Sequence, residues 1–210
     1  MSNHVRQISY GQAAEFSLVD RFGIYLSERM VKKYIKNLNP KESVLLDLGC
    51  GYYARLLRKF SPLVTLGVGV DFAIDPDIKA IPNVKIYENT AESALTRFES
   101  NFFNLIVMIS VLEHLNEPFV VLRECKRLLK KDGTLLINVP TWRGKFFLEA
   151  SAYYFHLSPK SEIDNHKMYY DKRDLWPLLV KAGFKPSAIQ MKYYKFGLNL
   201  FAVCKNYSEE

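Results

Sequence analysis

Long apolar runs are absent from this chain of 210 residues. No stretch approaches the roughly 18 to 20 apolar residues that a membrane-spanning helix needs. The first residues, MSNHVRQISYGQ, also lack the apolar core of a signal peptide. These absences argue against a membrane-embedded or exported protein, and we expect a cytoplasmic location.

Cysteine is scarce and odd in number, since the chain contains only Cys50, Cys125 and Cys204. Cys125 lies at helical spacing from neighbouring leucines, Cys204 falls in a strand-like run, and Cys50 stands between two glycines. Such widely spaced thiols indicate neither a disulfide framework nor a metal cluster. We therefore expect reduced, mostly buried cysteines and no metal site.

Acidic residues are the minority among the charged ones, with 22 Asp and Glu against 29 Lys and Arg, for a net charge of +7. A basic chain raises the hypothesis of nucleic-acid binding. Much of the excess lies on one amphipathic helix, however, where a solvated outer face explains it more simply. The basic residues of that helix are Arg123, Lys126, Arg127, Lys130 and Lys131. Nucleic acid is therefore not the expected partner, and an anionic small molecule is compatible with the charge.

The most informative feature that is present is the run VLLDLGCGYYA at residues 44–54. Apolar residues lead to Asp47, and Gly49 and Gly51 then open a predicted helix. A short apolar run is typical of a buried parallel strand, and glycines directly after it let the backbone approach a ligand at a helix N-terminus. The run predicts a nucleotide-type binding turn.

Taken alone, this turn does not identify its ligand. Gly49, Gly51 and Ala54 also satisfy the dinucleotide fingerprint G-x-G-x-x-[GA], which has many false matches. Asp47 favours another ligand, because a carboxylate at the strand end repels a pyrophosphate but attracts an ammonium group. The next apolar run, VTLGVGV, ends at Asp71, whose carboxylate can accept hydrogen bonds from two ribose hydroxyls. Both ligand classes contain that ribose, so Asp71 does not separate them.

Apolar periodicity predicts an amphipathic helix at 15–38, followed by alternating strands and helices. The predicted strands are 43–48, 64–70, 84–88, 103–109 and 134–139, and the predicted helices are 53–60, 92–98 and 117–131. This alternation indicates right-handed crossovers and a parallel sheet that is covered on both faces. A last helix at 171–182 ends at Gly183, and the β-rich runs 184–195 and 198–205 are expected to form an antiparallel pair.

Several motifs in order resemble class I S-adenosylmethionine-dependent methyltransferases of the small-molecule type, similar to the Methyltransferase-11 group. The motifs are DLGCG at 47–51, GVD at 69–71, FNLIVMISVLEHL at 103–115 and KKDGTLLINVP at 130–140. The resemblance covers roughly residues 40–205 and is more specific than one glycine turn. One departure is Tyr53, where many members have a third glycine.

The resemblance implies an α/β fold in a single domain over residues 1–210: a doubly wound, mostly parallel, seven-stranded Rossmann-like sheet with an antiparallel closing strand. It also implies S-adenosylmethionine as the cofactor. Asp47 is expected to orient the ammonium group of the cofactor, Asp71 to hold its ribose and Phe72 to lie against its adenine. The full expected cofactor-binding set is Asp47, Gly49, Cys50, Gly51, Asp71, Phe72, Asn89, Ala91, Glu92 and Ser110.

The acceptor side is predicted from three segments. His114 follows the fourth strand and is the candidate catalytic base, because an imidazole can take a hydroxyl proton near neutral pH; a structural histidine is the alternative. Residues 141–168 form an aromatic-rich insert that we interpret as the substrate-recognition segment, with helix 15–38 as an N-terminal cover. The expected substrate-binding residues are His166, Tyr170, Tyr153 and Tyr154. Glu113 beside His114 gives too few ligands to indicate a metal site.

The favoured function is methyl transfer to a small-molecule acceptor, with O-methylation preferred and with anionic, lipid-linked and sugar-linked compounds as the candidate acceptor classes. Three alternatives stay open. An RNA methyltransferase is suggested by the positive charge, a nucleotide-dependent oxidoreductase by the glycine turn, and a non-catalytic S-adenosylmethionine-binding protein by Tyr53. The missing substrate domain argues against the oxidoreductase. The SVLE segment after the fourth strand argues against transfer to a nucleic-acid amino group.

Overall fold

A computed structural model of the protein describes residues 9–12, 18–147 and 167–207, in which strands and helices alternate. The strands are β1 (Val44–Leu48), β2 (Leu66–Asp71), β3 (Val84–Glu88), β4 (Phe103–Ile109), β5 (Leu129–Pro140), β6 (Ile189–Tyr194) and β7 (Asn199–Lys205). The helices are α1 (Leu18–Ile35), α2 (Arg55–Phe60), α3 (Ala91–Leu95), α4 (Pro118–Leu128) and α5 (Lys172–Lys181). Short 3-10 turns occupy 61–63, 76–80, 112–114 and 186–188, and residues 142–147 are also helical.

The seven strands form one sheet in the order β3-β2-β1-β4-β5-β7-β6. Strands β1 to β5 are mutually parallel, and β7 runs antiparallel to both of its neighbours, β5 and β6. Among the described strands, β7 alone therefore opposes the direction of the sheet. This arrangement confirms the predicted doubly wound, mostly parallel sheet with an antiparallel closing strand.

Helices cover both faces of the sheet because the central strands β2, β1, β4, β5 and β7 bury side chains on both sides. On one face, α3, α4 and α5 contribute residues such as Leu95, Leu122 and Leu179 to a core. On the other face, α1 and α2 contribute Val31 and Leu57 to a second core. Two separate packed layers thus hold the sheet from which the site-forming loops extend at the carboxyl ends of the strands.

The strand order places a crevice at the carboxyl ends of β1 and β4. From β1 the chain continues to β2 on one side of the sheet, whereas β4 lies on the other side. Loops that leave neighbouring strands in opposite directions open a cleft, and ligands of doubly wound sheets bind at such a switch point. The turn after β1, which holds both glycines of the DLGCG motif, lies in this cleft.

Helix α4 ends three residues earlier than the predicted helix at 117–131, at Leu128. The next residue, Leu129, already pairs with Phe103 of β4. The side-chain amide of Asn206 donates to the backbone carbonyls of residues 129 and 130, at 2.7 and 3.1 Å. These contacts from the end of β7 draw the chain out of the helix and into β5, although its amphipathic pattern continues.

Other boundaries also shift for local reasons. Strand β6 begins at Ile189 rather than at residue 184, where the predicted run 184–195 starts, because Pro186 opens a 3-10 turn and cannot donate a ladder hydrogen bond. Helix α2 begins after Ala54, whose φ of 41° is left-handed. The predicted N-terminal helix at 15–38 is observed as α1, and residues 13–17 lie outside the described part of the chain.

Candidate functional site

The glycine turn after β1 is closed by hydrogen bonds from the backbone N–H groups of Gly49 and Cys50 to the carbonyl of Val70. Gly49 and Gly51 have φ values of 75° and 71°, a region that side chains disfavour. A Cβ atom at position 49 would lie 2.2 Å from Cγ2 of Val111. Gly49 is therefore required both by its dihedral angle and by the close approach of the segment after β4.

Asp47 lies beside this turn at the end of β1 and is 2% exposed. Its Oδ2 atom is buried without a hydrogen-bond partner among the described residues. Burial, followed by the nearby charge of Asp71, raises the pKa of Asp47 to about 8. A cation placed at Oδ2 would supply the missing partner and favour the ionised carboxylate, as expected for an ammonium group.

Asp71 ends β2 and accepts three hydrogen bonds in this structure. The N–H of Gly51 donates to Oδ2 at 2.8 Å, and the N–H of Phe72 donates to Oδ1 at 2.8 Å. The hydroxyl of Ser9 also donates to Oδ1. The carboxylate thus organises the loops after β1 and β2, and one of its oxygens faces a hydroxyl group from the N-terminal segment.

The segment at residues 9–12 was not anticipated at this site. Besides its contact with Asp71, Ser9 accepts a hydrogen bond from the N–H of Ala73 at 2.7 Å. The carbonyl of Tyr10 accepts one from the N–H of Tyr52 at 3.0 Å and would lie 3.2 Å from a Cβ atom at Gly51. These contacts place residues 9–12 across the glycine turn, although no sequence motif marks them.

The expected adenine side lies at the carboxyl ends of β2 and β3. Phe72 is 36% exposed directly after Asp71, so its ring is accessible to a ligand. The N–H of Asn89 donates to the carbonyl of Asp71 at 2.9 Å, which fixes the segment after β3 against β2. Ala91 and Glu92 then begin α3, whose N-terminus is capped by Thr90. Five of the predicted cofactor-binding residues therefore lie at the carboxyl ends of these two neighbouring strands: Asp71, Phe72, Asn89, Ala91 and Glu92.

Cys50 and Tyr53 complete the turn. Cys50 is half-buried, and burial together with the charges of Asp47 and Asp71 raises the pKa of its thiol. Tyr53 is largely exposed and packs edge-on against Tyr52, with ring centroids 5.2 Å apart. The tyrosine at the third-glycine position of the motif is therefore partly exposed and packs against its neighbour in the chain.

The segment after β4 borders the same crevice from the other side. Ser110 is exposed, with a left-handed φ of 55°, and its N–H donates to the carbonyl of Asn138 at 2.8 Å. His114 is half-buried in the 3-10 turn 112–114, and its N–H donates to the carbonyl of Val111 at 2.9 Å. A non-glycine residue with positive φ at a strand end is strained, and such strain clusters at functional sites.

The predicted substrate-binding residues divide into two groups. Tyr170 lies in the core on the α4 side and is 2% exposed, and its N–H donates to the carbonyl of Pro140 at 3.0 Å. Burial, then the charges of Glu113 and Asp174, raise the pKa of its phenol to about 12. His166, Tyr153 and Tyr154 lie outside the described residues.

The start of the predicted insert at 141–168 is held against the β6–β7 turn. The hydroxyl of Thr141 donates to the carbonyl of Gly197 at 2.8 Å and accepts from the N–H of Gly144 at 3.0 Å. Phe146 and Phe147 in the following helical segment are 70% and 50% exposed. In the described part of the insert, these two rings thus point to solvent rather than into a core.

Two polar residues at this end of the sheet were missed in the sequence. Asn138, near the end of β5, is fully buried, and neither polar atom of its side chain has a hydrogen-bond partner within the described ranges. Lys195, in the β6–β7 turn, has a left-handed φ of 50°, and burial lowers its pKa to about 8 although Glu113 opposes the shift. A polar residue within the apolar run LLINVP was the available signal for Asn138.

No group of three or more His, Cys, Asp or Glu in the described residues could hold a metal ion. In the same part of the chain, no helix has the length and apolar character needed to cross a membrane.

Comparison with known proteins identifies the family. Residues 22–188, about four-fifths of the chain, match a family model described as a methyltransferase domain. The chain belongs to this methyltransferase family. The predicted resemblance and enzyme class are confirmed, and the protein is a class I S-adenosylmethionine-dependent methyltransferase.

This methyltransferase is also similar to individual proteins. Over 179 residues it is 27% identical to the ubiquinone biosynthesis O-methyltransferase of Cereibacter sphaeroides. The aligned region covers 77% of this chain and 70% of that protein. It superposes on an S-adenosylmethionine-dependent methyltransferase from Archaeoglobus fulgidus with a TM-score of 0.61 and 15% identity, over 86% of this chain and 93% of that one. For an O-methyltransferase family protein from Burkholderia thailandensis, the TM-score is 0.60 and the identity 17%, over 93% and 64% of the two chains. The two structures support the fold alone.

The turn fits the cofactor that this methyltransferase family implies. Gly49 and Gly51 present backbone without side chains at the crevice, and a Cβ at Gly49 would collide with Val111. The unpartnered Oδ2 of Asp47 lies beside them and suits a cationic group. The chemistry of these residues therefore agrees with an amino-acid-bearing nucleoside rather than with a pyrophosphate.

Proposed function

We propose that this methyltransferase transfers the methyl group of S-adenosylmethionine to a hydroxyl oxygen of a small-molecule acceptor. The observation that carries the cofactor half of the proposal is the buried, unpartnered Asp47 carboxylate beside the glycine turn at the switch point of the sheet. The acceptor half is supported by the similarity to an O-methyltransferase of ubiquinone biosynthesis.

In this proposal the residues around the crevice divide the binding between them. Asp47 binds the ammonium group of the cofactor, and Gly49 and Gly51 allow the backbone to approach its methionine part. Asp71 accepts hydrogen bonds from the ribose, for which the Ser9 hydroxyl competes at Oδ1. Asn89, Ala91 and Glu92 would border the adenine, with Phe72 against its ring. Cys50 and Ser110 would border the methionine part through their backbone.

When bound, S-adenosylmethionine supplies a methyl group attached to a positively charged sulfur. The chain's own contribution is to hold the acceptor oxygen in line with that methyl group and to exclude water. His114 is half-buried on the opposite side of the crevice from Asp71 and is the proposed base that takes the hydroxyl proton. His166, Tyr170, Tyr153 and Tyr154 remain proposed acceptor contacts.

A screen of acceptor classes tests this function. Purified protein would be incubated with radiolabelled S-adenosylmethionine and with separate pools of phenols, hydroxy acids, amines, thiols and short RNAs. The proposal expects label in a compound that carries a hydroxyl group. Label in RNA alone would favour the RNA methyltransferase alternative, and cofactor binding without transfer to any pool would favour a non-catalytic binding protein.

We further propose that residues 141–168 act as an acceptor lid together with α1. Phe146 and Phe147 are exposed, and the segment starts at the crevice end of β5. Apolar rings at that position suit an acceptor that is lipid-linked as well as a small free acceptor. Hydrogen exchange should show greater protection of 141–168 when cofactor and acceptor are both present. Equal protection in the free and bound protein would reduce the segment to a structural or subunit contact.

A further inference from the structure

The five most exposed large apolar side chains of the described residues lie on three neighbouring segments. Phe22 and Tyr25 belong to α1, Phe146 and Phe147 to the helical segment that opens the insert, and Phe196 to the β6–β7 turn. Each ring is at least half exposed, and Phe196 is 88% exposed. Apolar residues scattered singly over a surface are ordinary, whereas rings gathered in one region mark an interaction surface.

Direct contacts join the three segments through the β6–β7 turn. On one side, the hydroxyl of Thr141 donates to the carbonyl of Gly197 at 2.8 Å. On the other side, the Nζ atom of Lys195 lies 3.7 Å from the position that a Cβ atom of Gly23 would occupy. Gly23 directly follows Phe22 in α1. The five rings therefore belong to one surface, which we call the aromatic rim.

The β6–β7 turn exposes its phenylalanine at a conformational cost. Lys195 and Phe196 have φ values of 50° and 59°, in the left-handed region that residues with a side chain disfavour. Lys195 is half-buried and Phe196 is exposed, which reverses the usual preference of a charged and an apolar side chain. Strain of this kind persists only where the surroundings impose it, and it clusters at functional positions. The ring gains little from packing within this chain, so it points to a partner outside it.

Positive charge surrounds the aromatic rim. The basic residues of segments 142–147 and 189–198 are Arg143, Lys145, Lys192 and Lys195. Neither segment contains an aspartate or a glutamate. A guanidinium nitrogen of Arg143 lies 3.6 Å from where a Cβ atom of Gly197 would stand, so a positive charge lies beside the turn that carries Phe196. Such side chains can hold lipid phosphates while neighbouring rings enter the apolar layer below.

The aromatic rim lies at the crevice end of the sheet. The β6–β7 turn leads into Asn199, which pairs with Pro140, the last residue of β5. The carboxyl ends of the parallel strands, where the crevice opens, lie at this same end. A surface bound by the rim would therefore face the end of the protein at which ligands enter.

We propose that the aromatic rim docks this protein onto an anionic lipid bilayer, with the rings among the lipid headgroups and the basic residues against the lipid phosphates. A second copy of the chain fits less well, because two copies of this basic face would repel each other. Single-stranded RNA also fits less well, since bases stack on rings along a groove and Phe196 projects from the apex of a turn. The inference concerns a surface, and it depends neither on the acceptor nor on methyl transfer.

Vesicle sedimentation tests the proposal. Wild-type protein would be titrated with large vesicles of phosphatidylcholine alone and with vesicles of equal amounts of phosphatidylcholine and phosphatidylglycerol. We expect binding to the mixed vesicles to be at least about tenfold tighter, since each basic residue near the surface adds attraction to anionic lipids. Salt at about 1 M should remove most of this difference by screening. Binding to neither vesicle, or equal binding to both at low salt, would overturn the proposal.

Two variants with matched controls assign the binding to the aromatic rim. Phe196→Ser should weaken binding to the mixed vesicles at least about tenfold, because the ring leaves water on docking, and Arg143→Gln about fivefold. Tyr207→Ser and Arg97→Gln change an exposed ring and an exposed arginine elsewhere, and both should bind like the wild type. Phe196→Ser should keep the wild-type melting temperature, since the ring is exposed. Vesicle binding that neither rim variant weakens would place the contact elsewhere and overturn the proposal.

Fluorescence supplies a second readout that requires no loss of binding. In Phe196→Trp, the emission of the added indole should shift to shorter wavelength with mixed vesicles, and brominated lipid should quench it, relative to the wild-type spectrum. Tyr207→Trp should show neither change. An indole at position 196 that vesicles do not affect would overturn the proposal.

Two further measurements examine the other occupants. Sedimentation without lipid would reveal a dimer, and a dimer that Phe196→Ser dissociates, with no vesicle binding, would assign the surface to a second copy. Titration with a short single-stranded RNA would reveal nucleic-acid binding, and RNA binding that Phe196→Ser abolishes, with no vesicle binding, would assign the surface to RNA. Either result would overturn the proposal and leave the methyltransferase function untouched.

Discussion

Asp47→Asn should change the stability of the protein in a way that depends on pH. The folded environment raises the pKa of Asp47 to about 8, whereas in the unfolded chain an aspartate titrates near about 4. Between these values the folded protein holds one proton more than the unfolded chain. The free energy of unfolding therefore falls with rising pH by about 1.4 kcal/mol per pH unit through this group.

Asparagine cannot ionise, so the free energy of unfolding of the variant lacks this pH-dependent contribution. From about pH 5 to about pH 8, the stability difference between Asp47→Asn and the wild type should grow by roughly 4 kcal/mol in favour of the variant. Urea unfolding followed by circular dichroism at several pH values measures the difference, and titrating groups that do not interact with Asp47 cancel between the two proteins. Asp132→Asn, which changes an exposed aspartate of β5 in the same way, is the matched control.

The same substitution should weaken the binding of S-adenosylhomocysteine. Because the ammonium group needs the ionised carboxylate, wild-type affinity for S-adenosylhomocysteine should rise from about pH 6 to about pH 8 as binding displaces a proton. In Asp47→Asn the affinity should fall at least about tenfold at pH 8, since a hydrogen bond to a charged group is lost. A stability difference that is flat with pH, or an affinity unchanged by the substitution, would refute the assignment of Asp47.

Three further substitutions probe the site. In Gly49→Ala a side chain occupies a left-handed backbone position and collides with Val111. The variant should lower the free energy of unfolding by about 1 to 3 kcal/mol and abolish S-adenosylhomocysteine binding in calorimetry. Unchanged stability would contradict the close approach of Val111 to Gly49. Ser9→Ala removes one of the two hydrogen bonds to Oδ1 of Asp71 and should tighten S-adenosylhomocysteine binding about two- to tenfold. Weaker binding would mean that the N-terminal segment assists the cofactor. His114→Ala should lower kcat about a hundredfold or more on the acceptor found by the screen, with S-adenosylhomocysteine affinity intact; unchanged turnover would leave it a structural residue.

The parts of the fold that were predictable from sequence depend on local patterns. Apolar runs of strand length predicted the five parallel strands, and the resemblance supplied their order and the antiparallel closing strand. The glycine turn could also be predicted from sequence, because the residues that must adopt positive φ angles are the glycines themselves. Gly49 and Gly51 carry the positive φ values themselves.

The features that were missed depend on contacts between distant residues. The end of α4 is set by Asn206, nearly eighty positions later, while the local pattern continues to favour helix. Ser9 reaches Asp71 across 62 positions and belongs to no motif. Asn138 is a buried polar residue only because β7 pairs with β5 and places Phe201 beside it. Lys195 approaches α1 only because the β6–β7 turn carries it there.

Calorimetry with S-adenosylhomocysteine and NAD tests the central claim most directly. The account predicts that the wild-type protein binds S-adenosylhomocysteine and not NAD. It also predicts that Asp71→Ala loses about 1.5 to 3 kcal/mol of that binding, the usual worth of hydrogen bonds to a charged group. Tight binding of NAD, or S-adenosylhomocysteine binding that is indifferent to Asp71, would contradict it.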